Sequence, residues 1–261
     1  MSEVHSFAMN ESDRVAAWLE ALERRHLADL TFAEVGRALR ALSSCYVERR
    51  GRIAGGSALD GAGKRAAFAL YYGPMHFMLL RHILGAIGGQ LGRDVAILDV
   101  GCGTGVAGAA WSLASGAATQ IMGIDRSDWA VAEAHWTWHS LGVPGRARRG
   151  DALAAPWPRK RLAIVAAFTA NELQSEARSR LRERLEERVS LGDTILVVEP
   201  LARGVAPWWN EWRDRWTALG VREDEWRVHL ALPEIVARLD RAVGMRHDEL
   251  TARTLFVPSK R

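Results

Sequence analysis

The sequence predicts an α/β fold: a doubly wound, mostly parallel sheet of seven strands preceded by a helical cap. Three observations carry this prediction. From Asp94 onward, short apolar runs alternate with helical patterns, as a parallel sheet with crossover helices requires. The run Val95-Ala96-Ile97-Leu98-Asp99-Val100 is apolar toward both faces, the mark of a buried parallel strand. It ends in Gly101-Cys102-Gly103-Thr104-Gly105, and an Ala-rich helix follows. Glycines at such a place permit a sharp turn, and without Cβ atoms they let a ligand lie against the main chain.

Taken in order, residues 12–50 read as two amphipathic helices, with Val15, Trp18, Leu19 and Leu22 on one face of the first. The second opens on Thr31-Phe32-Ala33-Glu34, a capping box. Gly51, Gly55, Gly56, Gly61 and Gly63 mark a flexible crossing. A third helical stretch, 64–72, is interrupted by Gly73-Pro74, with Pro74 in the first turn of a helix over 75–86. Residues 1–89 are therefore expected to form a cap or lid, and residues 90–261 the sheet domain. Strands are expected near 94–100, 119–124, 146–149, 162–168 and 194–199, and helices near 106–115, 127–140, 175–189 and 207–218. The last third leaves simple alternation: an extended run at 225–230, a helix at 233–243 and an extended run at 250–257.

Bulk properties narrow the class. With 261 residues the chain suits one α/β domain with an appendage. A net charge of +4, from 35 basic and 31 acidic residues, is too mild to argue for nucleic acid by itself. No apolar run reaches bilayer length and the first ten residues lack a signal pattern, so a cytoplasmic protein is expected. Cys45 and Cys102 are too few for a disulfide framework or a Cys-rich zinc site. His135 and His139 have ligand spacing, but Trp136 stands where a zincin carries Glu, so no metal is expected.

Asp125 lies 20 residues beyond Gly105 and closes a second apolar run, Ile121-Met122-Gly123-Ile124. An acid on that neighbouring tip is placed to accept hydrogen bonds from two ribose hydroxyls. Gly103 to Gly108 also fits the dinucleotide pattern G-x-G-x-x-G. In a dinucleotide site the first of those glycines ends the strand; here Gly101 already does, and Asp99 is expected to point an acid into the loop. A structural glycine turn without a ligand is the plain alternative.

Asp99 to Gly105 with Asp125 resembles motif I and the following acid of class I S-adenosylmethionine (SAM)-dependent methyltransferases, a Rossmann-like family. The resemblance implies SAM as cofactor and an antiparallel edge strand beside the parallel ones. It implies Asp99, Gly101, Cys102, Gly103 and Gly105 at the methionine and ribose portion, with Asp125 and Arg126 at the ribose. Asp151 and Ala152 fall at the adenine, although an Asp after Gly150 reads equally well as a turn acid. Phe168 stands on the fourth tip, where the family places the methyl group and the acceptor.

That tip, Ala167 to Leu173, has no D/N-P-P-Y motif and no Pro-Cys pair. Transfer from a sulfonium needs an in-line approach, a dry pocket and, for protonated acceptors, a base. Glu172, Asn171 and Tyr72 are the candidate catalytic residues, although Glu172 reads equally well as a first-turn helix acid. Trp208, Trp209 and Tyr71 are the candidate substrate contacts. The spacing of Trp208, Trp212 and Trp216 predicts a core face of a helix. Tyr71 and Tyr72 either close a lid over the methionine end or pack the cap onto the sheet. The arginines from 178 to 184 alternate with acids and are expected on a solvated face. A mostly apolar wall carrying one acid suits a small or cationic acceptor better than a polyanion, with RNA as the alternative.

Tyr71 to His76, motif I, Phe168 to Leu173, Glu199-Pro200 and Asp224 to Arg227 together resemble a methyltransferase-like group associated with the mitochondrial small ribosomal subunit. This chain lacks that group's cysteine cluster. The resemblance implies rRNA methylation or a ribosome-assembly role; another SAM-consuming alkyl transfer or cyclisation is a further alternative.

Overall fold

The structure, a computed structural model, describes residues 9–48, 59–116, 119–202, 206–245 and 247–259. Gly51, Gly55 and Gly56 of the expected crossing lie outside the described residues. Helix α1 (Glu11–His26) starts at Asn10, whose side chain accepts the Asp13 N–H at 2.9 Å. Helix α2 (Phe32–Glu48) starts on the capping box: the Glu34 carboxylate accepts the Thr31 N–H at 2.8 Å, and Thr31 Oγ1 accepts the Glu34 N–H at 3.3 Å.

The expected break at Gly73-Pro74 does not occur. Helix α3 (Ala62–Ala67) runs through a π-turn at Phe68–Tyr72 straight into α4 (Gly73–Ile87). The Gly73 N–H reaches back five residues to the Phe68 carbonyl. That widened turn accommodates Pro74, which has no N–H and whose ring would crowd the carbonyl one α-turn earlier.

Seven strands form one sheet: β1 (Ala96–Val100), β2 (Ile121–Asp125), β3 (Gly145–Arg149), β4 (Leu162–Ala167), β5 (Thr194–Glu199), β6 (Arg222–Val228) and β7 (Leu250–Val257). Their order is β3-β2-β1-β4-β5-β7-β6. The pairs from β3 to β5 are all parallel, with Asp99 beside Gly123 on β2 and beside Val165 on β4. The antiparallel strand is β7, and it is not at the edge: it lies between β5 and β6 and runs against both. Strand order reverses between β1 and β4, which makes their carboxyl ends the place where such sheets bind ligands.

Each sheet face carries a core. Ile97, Val165, Leu196 and Val198 pack under α1–α4, α5 (Val106–Ala114), α6 (Asp128–Ser140) and α9 (Glu234–Val243). Leu98, Ile164, Ile195 and Val197 pack against α7 (Ser175–Ser190) and α8 (Trp209–Trp216). Trp208, Trp209, Trp212 and Trp216 are all buried in this second core. The polar face expected of α7 is only partly solvated. Arg182 is buried, and Arg184 donates to the carbonyls of Ala152, Leu153 and Ala155 at 2.7–3.0 Å. Among the described residues no helix is long and apolar enough to cross a membrane.

Candidate active site

The three glycines after β1 all adopt positive φ, for different reasons. A Cβ on Gly101 (φ 68°) would lie 2.6 Å from Thr169 Cγ2, because the fourth tip locks onto the first. Thr169 completes that lock by donating its hydroxyl to the Val100 carbonyl at 3.0 Å. A Cβ on Gly105 (φ 79°) would lie 2.7 Å from Trp138 Nε1, whose N–H donates to the Gly105 carbonyl at 2.7 Å. Around Gly103 (φ 51°) a Cβ would meet nothing within 4 Å. Gly103 is therefore the one position of the three where the loop offers bare backbone to a ligand. Cys102 points away from it: the thiol packs beneath Gly123, and burial pushes its pKa well up.

Asp125 closes β2 beside β1 and orders the loop. Its Oδ2 accepts the Gly103 N–H at 3.0 Å and its Oδ1 accepts the Ser127 N–H at 2.9 Å. A carboxylate has about four lone-pair sites, so capacity remains for hydroxyl donors. Asp99 does not point into the loop. It is buried behind α5, its Oδ2 accepts the Gly108 N–H at 2.8 Å, and burial raises its pKa to about 7. Its first effect is to hold the start of α5 against β1. Asp151 and Arg126 meet each other at 2.8 Å. Burial opposes ionisation of Asp151, but the Leu153 N–H and Arg126 outweigh it and its pKa is lowered. The Ala152 carbonyl accepts from Trp157 Nε1 at 3.0 Å and from Arg184 at 2.8 Å.

A row of aromatic rings crosses above the first tip, a feature invisible as a unit in the sequence. Trp129, Phe68, Tyr72, His76 and Phe168 follow one another at centroid distances of 6.4, 5.8, 6.0 and 3.9 Å. Trp129 stands just after the second tip and Phe168 on the fourth, so the row spans the glycine loop between them. Phe68, Tyr72 and His76 recur every four residues on the α3–α4 helix, which is why one face supplies the middle of the row. Gly73 sits against Thr104 Oγ1, where a Cβ would stand at 3.5 Å. Phe168 has φ 57°, unusual for a side-chain-bearing residue, and lies stacked on His76 at 18°. Desolvation lowers the His76 pKa to about 4, so its ring is neutral.

Beyond Phe168 the fourth tip turns through Ala170–Glu172. Glu199, fully buried at the end of β5, accepts the Asn171 N–H at 3.2 Å and also holds the Ala170 N–H. Desolvation raises its pKa to about 8, with the Glu172 charge adding. Glu172 itself has an exposed side chain, yet its carboxyl is partly desolvated by the protein around it. That desolvation and the charge of Asp125 raise its pKa to about 7. Asn171 Oδ1 accepts from Trp208 Nε1 at 3.0 Å, while its buried Nδ2 has no partner among the described residues.

Two expected substrate contacts lie elsewhere. Tyr71 is fully buried; its hydroxyl donates to Asp240 and lies 2.8 Å from His247 Nδ1, joining the helical layer to α9. Its pKa is raised by burial. Trp209 is buried under Arg253 and donates to Glu223 at 2.6 Å, beside a cavity of about 440 Å³ at the β6–β7 side. Trp208 reaches the tip through Asn171. His76, Thr169 and Glu199 complete the site and do not stand out in the sequence, because their partners lie 28 to 92 residues away.

Residues 97–189 match the family model described as "Methyltransferase domain", and the matched segment spans β1 through α7 with the whole glycine loop. Over that segment, about a third of its length, the chain is similar to a methyltransferase domain. The chain is 32% identical over 162 residues to ribosomal RNA large subunit methyltransferase G of Streptomyces coelicolor, a match covering 59% of this chain. It spans 41% of that curated relative's length. Among solved structures, it is similar to a SAM-dependent methyltransferase from Aquifex aeolicus, at 16% identity and TM-score 0.47, covering 68% of this chain and 89% of that one. It is also similar to the plantazolicin methyltransferase BpumL in complex with S-adenosylhomocysteine, at 13% identity and TM-score 0.44, covering 87% and 97%.

Proposed function

We propose that the protein methylates a small-molecule acceptor, with residues 1–89 capping a methyltransferase domain at 90–261. The bare backbone at Gly103, where a Cβ would meet open space, fits a cofactor laid against the loop. In this reading Gly101, Gly103 and Gly105 shape the cradle, Asp125 accepts the ribose hydroxyls, and Asp151 with Arg126 flanks the adenine. SAM supplies a methyl group already activated by its sulfonium. The chain's own residues exclude water through the aromatic row, fix the fourth tip through Thr169 and Glu199, and take a proton at the Glu172 carboxyl. Asn171 and Tyr72 orient the acceptor.

The observation that carries the reading is Glu172, whose carboxyl lies in the site with its pKa raised to about 7 by desolvation, where a general base works best near neutral pH. Incubation with SAM alone and then with cell extract tests it. S-adenosylhomocysteine only with extract is expected; methylthioadenosine from SAM alone would indicate another SAM-consuming reaction, and neither product a docking protein.

A second reading, methylation or binding of ribosomal RNA, is favoured by the 32% identity to the rRNA methyltransferase and by resemblance to the ribosome-associated group. Tight, salt-sensitive retention of RNA on filters would favour it over the small-molecule reading.

A further inference from the structure

Three acids stand at the carboxyl end of the sheet, on either side of the β1 tip: Asp125 on β2, Glu172 after β4 and Glu199 on β5. Two of them hold backbone N–H groups, as Asp125 does for Gly103 and Ser127 and Glu199 does for Asn171. Glu172 holds nothing: among the described residues its exposed carboxylate makes no hydrogen bond or ion pair. The cations around the row and the tip have contacts of their own: Arg65 lies over the Trp129 ring at 6.0 Å and donates to the Leu59 carbonyl at 3.1 Å. Arg126 pairs with Asp151 at 2.8 Å. Arg178 lies over the Trp208 ring at 5.5 Å and donates to the Leu173 carbonyl at 2.8 Å. Arg253 lies over the Trp209 ring at 4.4 Å, on the far side of β5. His76, facing the tip from the helical layer, is neutral, and Tyr72 beside it carries a raised pKa from burial.

An anionic acceptor beside Glu172 would therefore face the carboxylates of Glu172 and Asp125. A cationic one would meet a free carboxylate and the aromatic rings of the row, both of which attract an ammonium group. We propose that the acceptor is an amine, bound as its ammonium ion beside Glu172 and methylated on nitrogen; this rests on the methyltransferase reading above. The Glu172 carboxylate takes a proton from the ammonium. The freed nitrogen lone pair then forms the N–C bond as the S–C bond breaks, leaving S-adenosylhomocysteine and a methylated ammonium. Acidities favour nitrogen over oxygen. An ammonium proton with a pKa of about 10 is within reach of a carboxylate near neutrality, whereas an alcohol near 16 is not.

The charge can be read without knowing the acceptor. Sinefungin is a SAM analogue in which a carbon bearing an ammonium group replaces the methylsulfonium, so its amine stands where the methyl is delivered. Calorimetry at pH 6 and pH 8 compares it with S-adenosylhomocysteine on the wild-type protein and on Glu172→Gln. The expected result is a sinefungin preference of about ten-fold or more at pH 8, smaller at pH 6 as Glu172 becomes protonated, and absent in Glu172→Gln with S-adenosylhomocysteine affinity retained. The wild-type pH dependence reads the same carboxylate with no substitution at all. Equal or weaker sinefungin binding to wild type, or a preference that survives Glu172→Gln unchanged, would overturn the amine assignment. Failure of both ligands to bind at either pH would overturn the cofactor reading beneath it.

Discussion

Gly101, Gly103 and Gly105 look interchangeable in sequence, but their surroundings give each substitution a distinct outcome. Gly105→Ala forces a Cβ against Trp138 and Ala134 as well as an unfavourable φ, and should cost about 2–5 kcal/mol in a denaturant titration. Gly103→Ala pays only for its φ, about 1–2 kcal/mol, while filling the space offered to the cofactor, so SAM affinity should fall more than stability does. The glycine pattern and Asp125 were legible because strand, turn and acid are close in sequence. Which glycine faces open space was not, because Thr169 and Trp138 decide it from 68 and 33 residues away. Asp99 departs from the expected orientation for a related reason: strand alternation turns its carboxylate toward α5, where the Gly108 N–H claims it. Glu199 allows a pH test. Its carboxyl stays protonated in the folded state up to about pH 8, whereas the unfolded carboxyl ionises near 4.5. Its contribution is therefore fully present below about pH 4.5 and is lost as pH rises to about 8, by on the order of a few kcal/mol. Glu199→Gln should flatten that decline when unfolding free energies are compared at pH 5 and pH 8.

Among the elements, α7 does more than cover the sheet. Arg188, buried at its last turn, pairs with the buried Asp193 and donates to the Pro158 and Lys160 carbonyls at 2.8 and 2.9 Å. With Arg184 it fixes the whole β3–β4 connection from the helix side. Arg188→Ala leaves Asp193 buried without its cation and should cost about 3–5 kcal/mol, read as a loss in denaturation midpoint. Alternating charge along α7 suggested solvent exposure; it gave no sign of the loop that folds back over the helix. The capping box at Thr31 was legible because both partners are three residues apart. The π-turn was not, since Gly-Pro marks a helix boundary far more often than a widened turn inside one. Strand positions were read closely, yet the antiparallel strand was expected at the edge, and pairing of β7 with β5 is decided by packing rather than by any local signal.

Across the whole molecule, the helices before β1 and the sheet share one core, in which Trp18, Leu22, Leu39 and Leu80 join Ile97, Val165 and Val236. Glu133 on α6 anchors α1 through His26 at 2.8 Å and Arg25 at 3.3 Å, and Tyr71 anchors α4's approach to α9 through Asp240. Residues 90–261 expressed alone should therefore fail to give a cooperative thermal transition, because one sheet face would lose its cover. Composition indicates a globular α/β chain but does not show that the helices and the sheet share one core; only the facing surfaces reveal that. The same union lays the aromatic row over the glycine loop, so cofactor binding is where the account meets its most direct test. Calorimetric titration with SAM should show one site on the wild-type protein, weakened by roughly 10- to 150-fold in Asp125→Ala as charge-assisted hydrogen bonds to the ribose are lost. No binding of SAM, binding of NAD in its place, or unchanged affinity in Asp125→Ala would contradict it.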